Sequence, residues 1–176
     1  GGTMLVGVPA FRLPREAIEM DVRLVERLGV KFVFDTTIGI DITFDELQRD
    51  YDGIAITAGA MNPVYLDVPG ADLDGVQYGV DYMKKANLGQ ELTVGRNVVV
   101  IGGGYTAMDC SRTSLRYGAE NVTIAYRRTR SELVVDEEEL GETEREGVRM
   151  EFLASPIEVL GEDGHVTAVK FIRNRL

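Results

Sequence analysis

Gly102-Gly103-Gly104 follows the apolar run Val98-Val99-Val100-Ile101 and precedes a stretch that reads as a helix from Tyr105 to Tyr117, closed by Gly118. In the spacing Gly102-x-Gly104-x-x-Ala107 each small residue has a task. Gly102 lets the chain turn sharply off a strand, Gly104 lets the backbone approach a diphosphate, and Ala107 lets the helix pack closely on the strand. The first-turn amides then face an anion with unpaired N–H groups and a partial positive charge. One strand further on, the sequence reads Tyr126-Arg127-Arg128-Thr129-Arg130, where a site that selects a free ribose 2′-hydroxyl carries an acid. An acid would repel a 2′-phosphate, whereas guanidinium groups bind it through charge-assisted hydrogen bonds of ~1.5–3 kcal/mol each. These residues point to NADPH, with Arg127 and Arg128 as the selectors. The alternative is a solvated basic turn that pairs with the acidic segment Glu137 to Glu139.

The elements that must position these residues follow from periodicity. Pro14 and the spacing of Ala17, Met20, Leu24 and Leu28 predict an amphipathic helix over 14–28, stopped by Gly29. Val30 to Phe34 alternates as a strand with Phe32 and Phe34 on one face. Thr43 and Glu46 form a capping-box pair that opens a helix to about Arg49, and Gly53 to Ala58 reads as a buried strand ending at Gly59. Between 61 and 95 the pattern weakens under Pro63, Pro69, Gly70, Gly75 and Gly89, with a short helix expected over Val76 to Lys85. Val98 to Ile101 reads as a central parallel strand and Asn121 to Tyr126 as the next, which makes a βαβ unit. An acidic helix over 136–146, a strand over 148–153, and a hairpin of 157–160 with 166–172 through Asp163-Gly164 complete the chain.

A faint repeat joins Gly29 to Phe34 with Gly147 to Phe152, each following a helix. The two copies lack complementary parts. The expected organisation is therefore the back half of one dinucleotide-binding domain at 1–60, a connection at 61–95, and most of a second such domain at 96–176 with its last strand missing.

Composition narrows the function classes. The 176 residues carry 19 Lys and Arg against 29 Asp and Glu, a formal net charge of −10, so general binding to nucleic acid is disfavoured. No apolar run reaches the ~18 residues of a membrane span. One cysteine, Cys110, offers no redox pair and no thiolate metal site, and it reads as a packing residue. One histidine, His165, reads as a solvated turn residue beside Asp163-Gly164. No catalytic side chain and no metal site are assigned; Glu137 to Glu139 is read as a solvated helix face. The opening Gly1-Gly2-Thr3-Met4, without a signal-peptide pattern, points to a piece of a longer cytoplasmic protein.

At this point the sequence resembles a known family. Gly1 to Pro14, GGTMLVGVPAFRLP, is similar to the GG-[LM]-L-x-x-G-[IV]-P-x-[FY]-[RK]-L-P segment of the glutamate synthase small-subunit family of FAD/NADPH oxidoreductases. Val99 to Thr113, VVIGGGYTAMDCSRT, resembles its VVxGGGxTAMDxxRT, Ala125 to Thr129 its xYRRT, and Thr57 to Ala60 its T-G-A turn. Two departures are Tyr105 in place of Asp or Asn, and Leu133-Val134-Val135 in place of Met-Pro-Ala.

The resemblance implies a Rossmann-like α/β architecture in which an FAD domain is interrupted by an NADPH domain, and a flavin that passes electrons to an iron-sulfur domain or subunit. By matching position it implies that Gly1, Gly2, Met4 and Leu5 lie near the flavin and that Thr57, Gly59 and Ala60 form its cofactor-contacting turn. Gly102, Gly103, Gly104, Tyr105, Thr106 and Ala107 would then hold the NADPH diphosphate, with Arg127 and Arg128 on the 2′-phosphate. The expected function is an NADPH-dependent, FAD-linked oxidoreductase. The alternatives are a non-catalytic module that senses a dinucleotide or docks a partner, and a disulfide reductase, which the single cysteine disfavours.

Overall fold

A computed structural model describes residues 1–175. In chain order its helices are α1 Gly2–Val6, α2 Arg15–Arg27, α3 Phe44–Asp50, α4 Gly79–Asn87, α5 Tyr105–Arg116 and α6 Glu137–Arg145; its strands are β1 Asn97–Ile101, β2 Asn121–Tyr126, β3 Arg149–Phe152, β4 Ala154–Glu162 and β5 His165–Arg173. The chain divides into two compact units, one of Gly1–Leu13 with Met61 onward, the other of Pro14–Ala60.

The larger unit is built on a parallel three-stranded sheet in the order β1-β2-β3, with register running from Asn97↔Asn121 to Ile101↔Ala125 and from Thr123↔Arg149 to Tyr126↔Phe152. Parallel neighbours need a crossover, and α5 and α6 supply the two. One face of the sheet is apolar at alternate positions. Val98, Val100, Val122, Ile124 and Met150 pack under Met108 and Leu115 of α5 and Leu140 of α6, with Met108 and Ile124 fully buried. Outside α5 lies α4, whose Tyr82 and Met83 pack on Cys110. A methyl group on Gly79 would stand 3.0 Å from Thr106 Cγ2 and 3.2 Å from Cys110 Sγ, so close approach of the two helices depends on that glycine. The other face of the sheet, with Val99, Thr123, Ala125 and Glu151, lines a cleft of about 400 Å³ together with Phe171 and Arg173 of β5.

Here the Val98–Ile101 strand differs from its expected central place. It is an edge strand, and Val99 and Ile101 remain exposed, because β2 takes the middle by pairing on both sides. The hairpin is longer than its apolar alternation predicts. Its β4 and β5 pair antiparallel from Ala154↔Arg173 to Glu162↔His165, and the turn takes positive φ at Asp163 (49°) and Gly164 (82°). Asp74 joins the hairpin end by its N–H to Gly164 O and its carbonyl to Val166 N, and its carboxylate lies 2.8 Å from His165 Nδ1.

The smaller unit bears out the helices and corrects the strands. Helix α2 stops as Gly29 takes φ +90°, and α3 carries the reciprocal Thr43–Glu46 capping box. The strands expected at Val30–Phe34 and Gly53–Ala58 do not form, and Ile54 and Ile56, expected to be buried, are exposed. Alternation survives in the first of them, since Phe32 and Phe34 stack at 5.9 Å with 5° between ring planes. A strand exists only as half of a ladder, and neither segment has a ladder partner among the described residues. The repeat is therefore realised once, at β3. The short helix expected at 76–85 forms three residues later in the chain, at α4.

Candidate dinucleotide site

The glycine turn connects β1 to α5. Gly102 adopts φ +146°, and its N–H donates to Ala125 O at 3.1 Å, so the turn begins beside the end of β2. A methyl group on Gly102 would meet Ala107 Cβ at 3.5 Å, and Ala107 is buried between helix and strand. Gly103 is required for a reason the spacing leaves open. A Cβ there would stand 2.4 Å from Tyr126 Cδ2 and 2.8 Å from Leu133 Cδ2. Gly104 is the N-cap of α5, and a Cβ on it would meet only Val134 Cγ2, at 3.8 Å, so its outer side is open to a ligand.

Helix α5 has no side-chain cap, whereas Thr43 caps α3 and Asp136 caps α6. Its first-turn amides at Tyr105 and Thr106 lie on exposed residues and retain their donor capacity. The fit to an anion at this turn is good: positive φ at the bend, open space over Gly104, and uncapped N–H groups together suit a diphosphate.

The segment 129–136 folds over the turn. Tyr126 OH donates to Glu132 O at 2.9 Å, Thr129 and Glu132 form a second capping box, and Tyr105 OH donates to Asp136 Oδ2 at 2.9 Å. That bond holds the Tyr105 phenol above its ordinary pKa. The Asp136 carboxyl is lowered, first by the Glu139 N–H it accepts and then by Tyr105.

Arg127 and Arg128 are exposed at the end of β2, and neither guanidinium makes a hydrogen bond or ion pair among the described residues. The expected alternative, pairing with the acidic helix, is met by their neighbour. Arg130 bonds Glu144 at 2.8 Å and Glu137 at 3.1 Å.

Of the other expected site residues, Gly1, Gly2, Met4 and Leu5 belong to the larger unit and Thr57, Gly59 and Ala60 to the smaller. Gly1, Gly2 and Met4 are exposed and Leu5 partly so; Thr57, Gly59 and Ala60 are exposed, and Gly59 takes the turn conformation at φ +74°. The N-terminal segment is tied down by Asn87, whose Nδ2 donates to Val6 O at 2.9 Å and Val8 O at 3.2 Å.

Sequence reasoning missed a charged cluster behind α5. Arg12 bonds both Asp109 and, in bidentate fashion, Glu139. Arg112 donates to Glu139 at 3.1 Å and to Glu146 at 2.7 Å, and Arg116 reaches Glu146 at 2.6 Å. The Phe11 ring lies 4.0 Å from the Arg116 guanidinium carbon and 4.8 Å from that of Arg112. Glu139, expected on a solvated face, is thus buried, because the side of α6 that carries it turns toward α5. Burial pushes the Asp109 carboxyl up, and Arg12 pulls it part of the way back. Hydrogen bonds from Arg116 and Arg112 hold Glu146 down at about 2. The signal available was that Arg12, Asp109 and Arg112 all fall within the family motifs, although nothing in those motifs pairs them.

Cys110 is buried, with its thiol pushed up to about 12 by desolvation and by the Asp109 charge. It has no thiolate to offer near neutral pH.

The family model for pyridine nucleotide-disulphide oxidoreductases matches residues 12–174, and the chain belongs to that family. Over its whole length it is 38% identical to the NADPH-Fe(3+) oxidoreductase subunit beta of Geobacter sulfurreducens and 36% identical to the glutamate synthase [NADPH] small chain of Halomonas elongata. The resemblance to glutamate synthase small subunits is borne out. The chain spans 27% and 39% of the length of those two relatives. Among solved structures it is similar to Mycobacterium tuberculosis FprA in complex with NADPH, with a TM-score of 0.75 and 20% identity, over 97% of this chain and 57% of that one. That likeness establishes the shared fold, a Rossmann-like α/β architecture. Among the described residues no helix is long and apolar enough to cross a membrane.

Proposed function

We propose that this chain is the NADPH-binding domain, with part of the FAD-binding domain, of an NADPH-dependent flavin oxidoreductase of glutamate synthase small-subunit type. In that reading 1–60 belongs to the FAD domain, 61–95 connects, and 96–176 binds the nucleotide. The observation that carries it is the pairing of an uncapped α5 N-terminus at Gly102–Gly104 with two ion-pair-free arginines at the end of the adjacent strand. Bound NADPH would supply a hydride to FAD, and FAD would hand electrons to an iron-sulfur domain or subunit, in the cytoplasm.

The protein's own part is placement and charge. The backbone N–H groups of Gly103 to Thr106 hold the diphosphate, with the small Ala107 keeping helix and strand in close contact behind them. Arg127 and Arg128 hold the 2′-phosphate. Gly1, Gly2, Met4, Leu5, Thr57, Gly59 and Ala60 are assigned to the flavin. No side chain of this chain is asked to move a proton, and the buried, protonated Cys110 argues against disulfide chemistry through it. Calorimetric titration of the chain with NADPH, NADH and 2′,5′-ADP tests the reading. Two charge-assisted hydrogen bonds predict an NADPH preference of about two decades or more and competition by 2′,5′-ADP. Equal affinity for the two dinucleotides overturns it.

A further inference from the structure

The backbone under the two selecting arginines is held by residues far along the chain. β2 and β3 pair as far as Tyr126↔Phe152. One residue on, Leu153 turns to φ +57°, a left-handed conformation that side-chain-bearing residues adopt only when their surroundings impose it. There its N–H donates to Arg128 O at 3.0 Å, and its own carbonyl accepts Asn174 N–H at 2.7 Å. The part-buried Asn174 side chain completes the clasp. Its Nδ2 donates to Arg127 O at 2.7 Å and to Ser155 Oγ at 2.9 Å. A carbonyl can only accept, so Arg127 O fixes which end of the amide faces it. Beside it Arg173 Nη1 donates to Phe152 O at 2.6 Å. Both arginine carbonyls are therefore fixed, while both guanidinium groups stay exposed.

We infer that Asn174 is a specificity-determining positioning residue for the dinucleotide: through Arg127 O it sets the backbone from which Arg127 and Arg128 reach a 2′-phosphate. This rests on the NADPH reading above. The physical reason is preorganisation. Two long side chains lose freedom when they bind a phosphate, and a backbone already fixed removes part of that ordering cost. Residues 102–107 bind the diphosphate from a different turn and do not feel the clasp. Loss of Asn174 is thus expected to weaken NADPH and spare NADH, a pattern that a general loss of folding would not give.

The test uses the full chain, titrated with NADPH and with NADH, in wild type, Asn174→Ala, Asn174→Gln, Ser155→Ala and the double variant Arg127→Ala/Arg128→Ala. Asn174→Ala is expected to lower the NADPH-over-NADH ratio about fivefold, the worth of one neutral hydrogen bond, with NADH affinity unchanged. Asn174→Gln, which keeps the donor, restores part of the ratio, and Ser155→Ala, which removes one anchor of the amide, has a smaller effect in the same direction. If the arginine variant collapses the ratio and Asn174→Ala leaves it intact, or lowers both affinities equally, the inference is overturned and the NADPH reading stands. If the arginine variant leaves the ratio unchanged, both fall. Should Asn174→Ala not fold, Ser155→Ala carries the test, and an unchanged ratio there overturns the inference.

Discussion

Two groups of arginines in the larger unit have opposite fates. Arg12 of the N-terminal segment and Arg112 of α5 lie in one charged cluster, the latter with a side chain 9% exposed, and their carboxylate partners include Asp109, Glu139 and Glu146. Arg127 and Arg128, at the end of the strand that follows α5, are exposed and make no ion pair among the described residues. Nearby Arg130 pairs with Glu137 and Glu144, so the acidic helix does not draw in its two neighbours. Charge alone does not separate the groups. What separates them is whether folding supplies the counter-charge. Where it does, an arginine fastens α5, α6 and the N-terminal segment together; where it does not, the guanidinium stays exposed, as the proposed NADPH site requires.

The contrast breaks most visibly at Glu139. Glu139→Ala takes their shared carboxylate from Arg12 and Arg112, which keep Asp109 and Glu146 respectively, and losing the charged hydrogen bonds of this largely desolvated cluster costs about 2–3 kcal/mol. Urea denaturation should register that loss; a change within error would mean that the cluster is solvated and equivalent to the surface arginines. Next in size is the mirror experiment, Arg127→Ala or Arg128→Ala. Each should weaken NADPH by about a factor of ten or more, flatten the salt dependence of binding, and leave the urea midpoint where it was. A large fall in stability would contradict the assignment of these side chains to a ligand.

The smallest effect is in pH dependence. Glu146 is held at about 2 in the fold by Arg116 and Arg112, against an ordinary value of 4.5. Its contribution is therefore complete above about pH 4.5 and is lost as the pH falls towards about 2. Asp109, raised by burial, works in the opposite direction and blunts the slope. Melting temperature followed from pH 5 down to 2 should fall in wild type and fall less in Glu146→Gln. Parallel curves would show that Glu146 is not the group responsible.

The local features were legible in the residues. Gly102-x-Gly104-x-x-Ala107, the Thr43–Glu46 capping box and the Asp163-Gly164 turn each encode their conformation within a few positions, and all three form as expected. The tertiary structure decided whatever needs a partner distant in sequence. Val30–Phe34 and Gly53–Ala58 have strand patterns and no ladder among the described residues, since backbone hydrogen bonds make a strand only between two segments. The apolar Val98–Ile101 run says that a strand exists and leaves its place in the sheet to its neighbours. Glu139 looked like one more surface acid in an acidic helix until Arg12, 127 residues away, came to meet it. Arg127 and Arg128 could be read from the sequence as a basic pair, yet only the folded chain determined that Glu137 and Glu144 pair with Arg130 and leave those two without an ion pair among the described residues, because ion pairing depends on where side chains meet in space and the order of residues does not specify that.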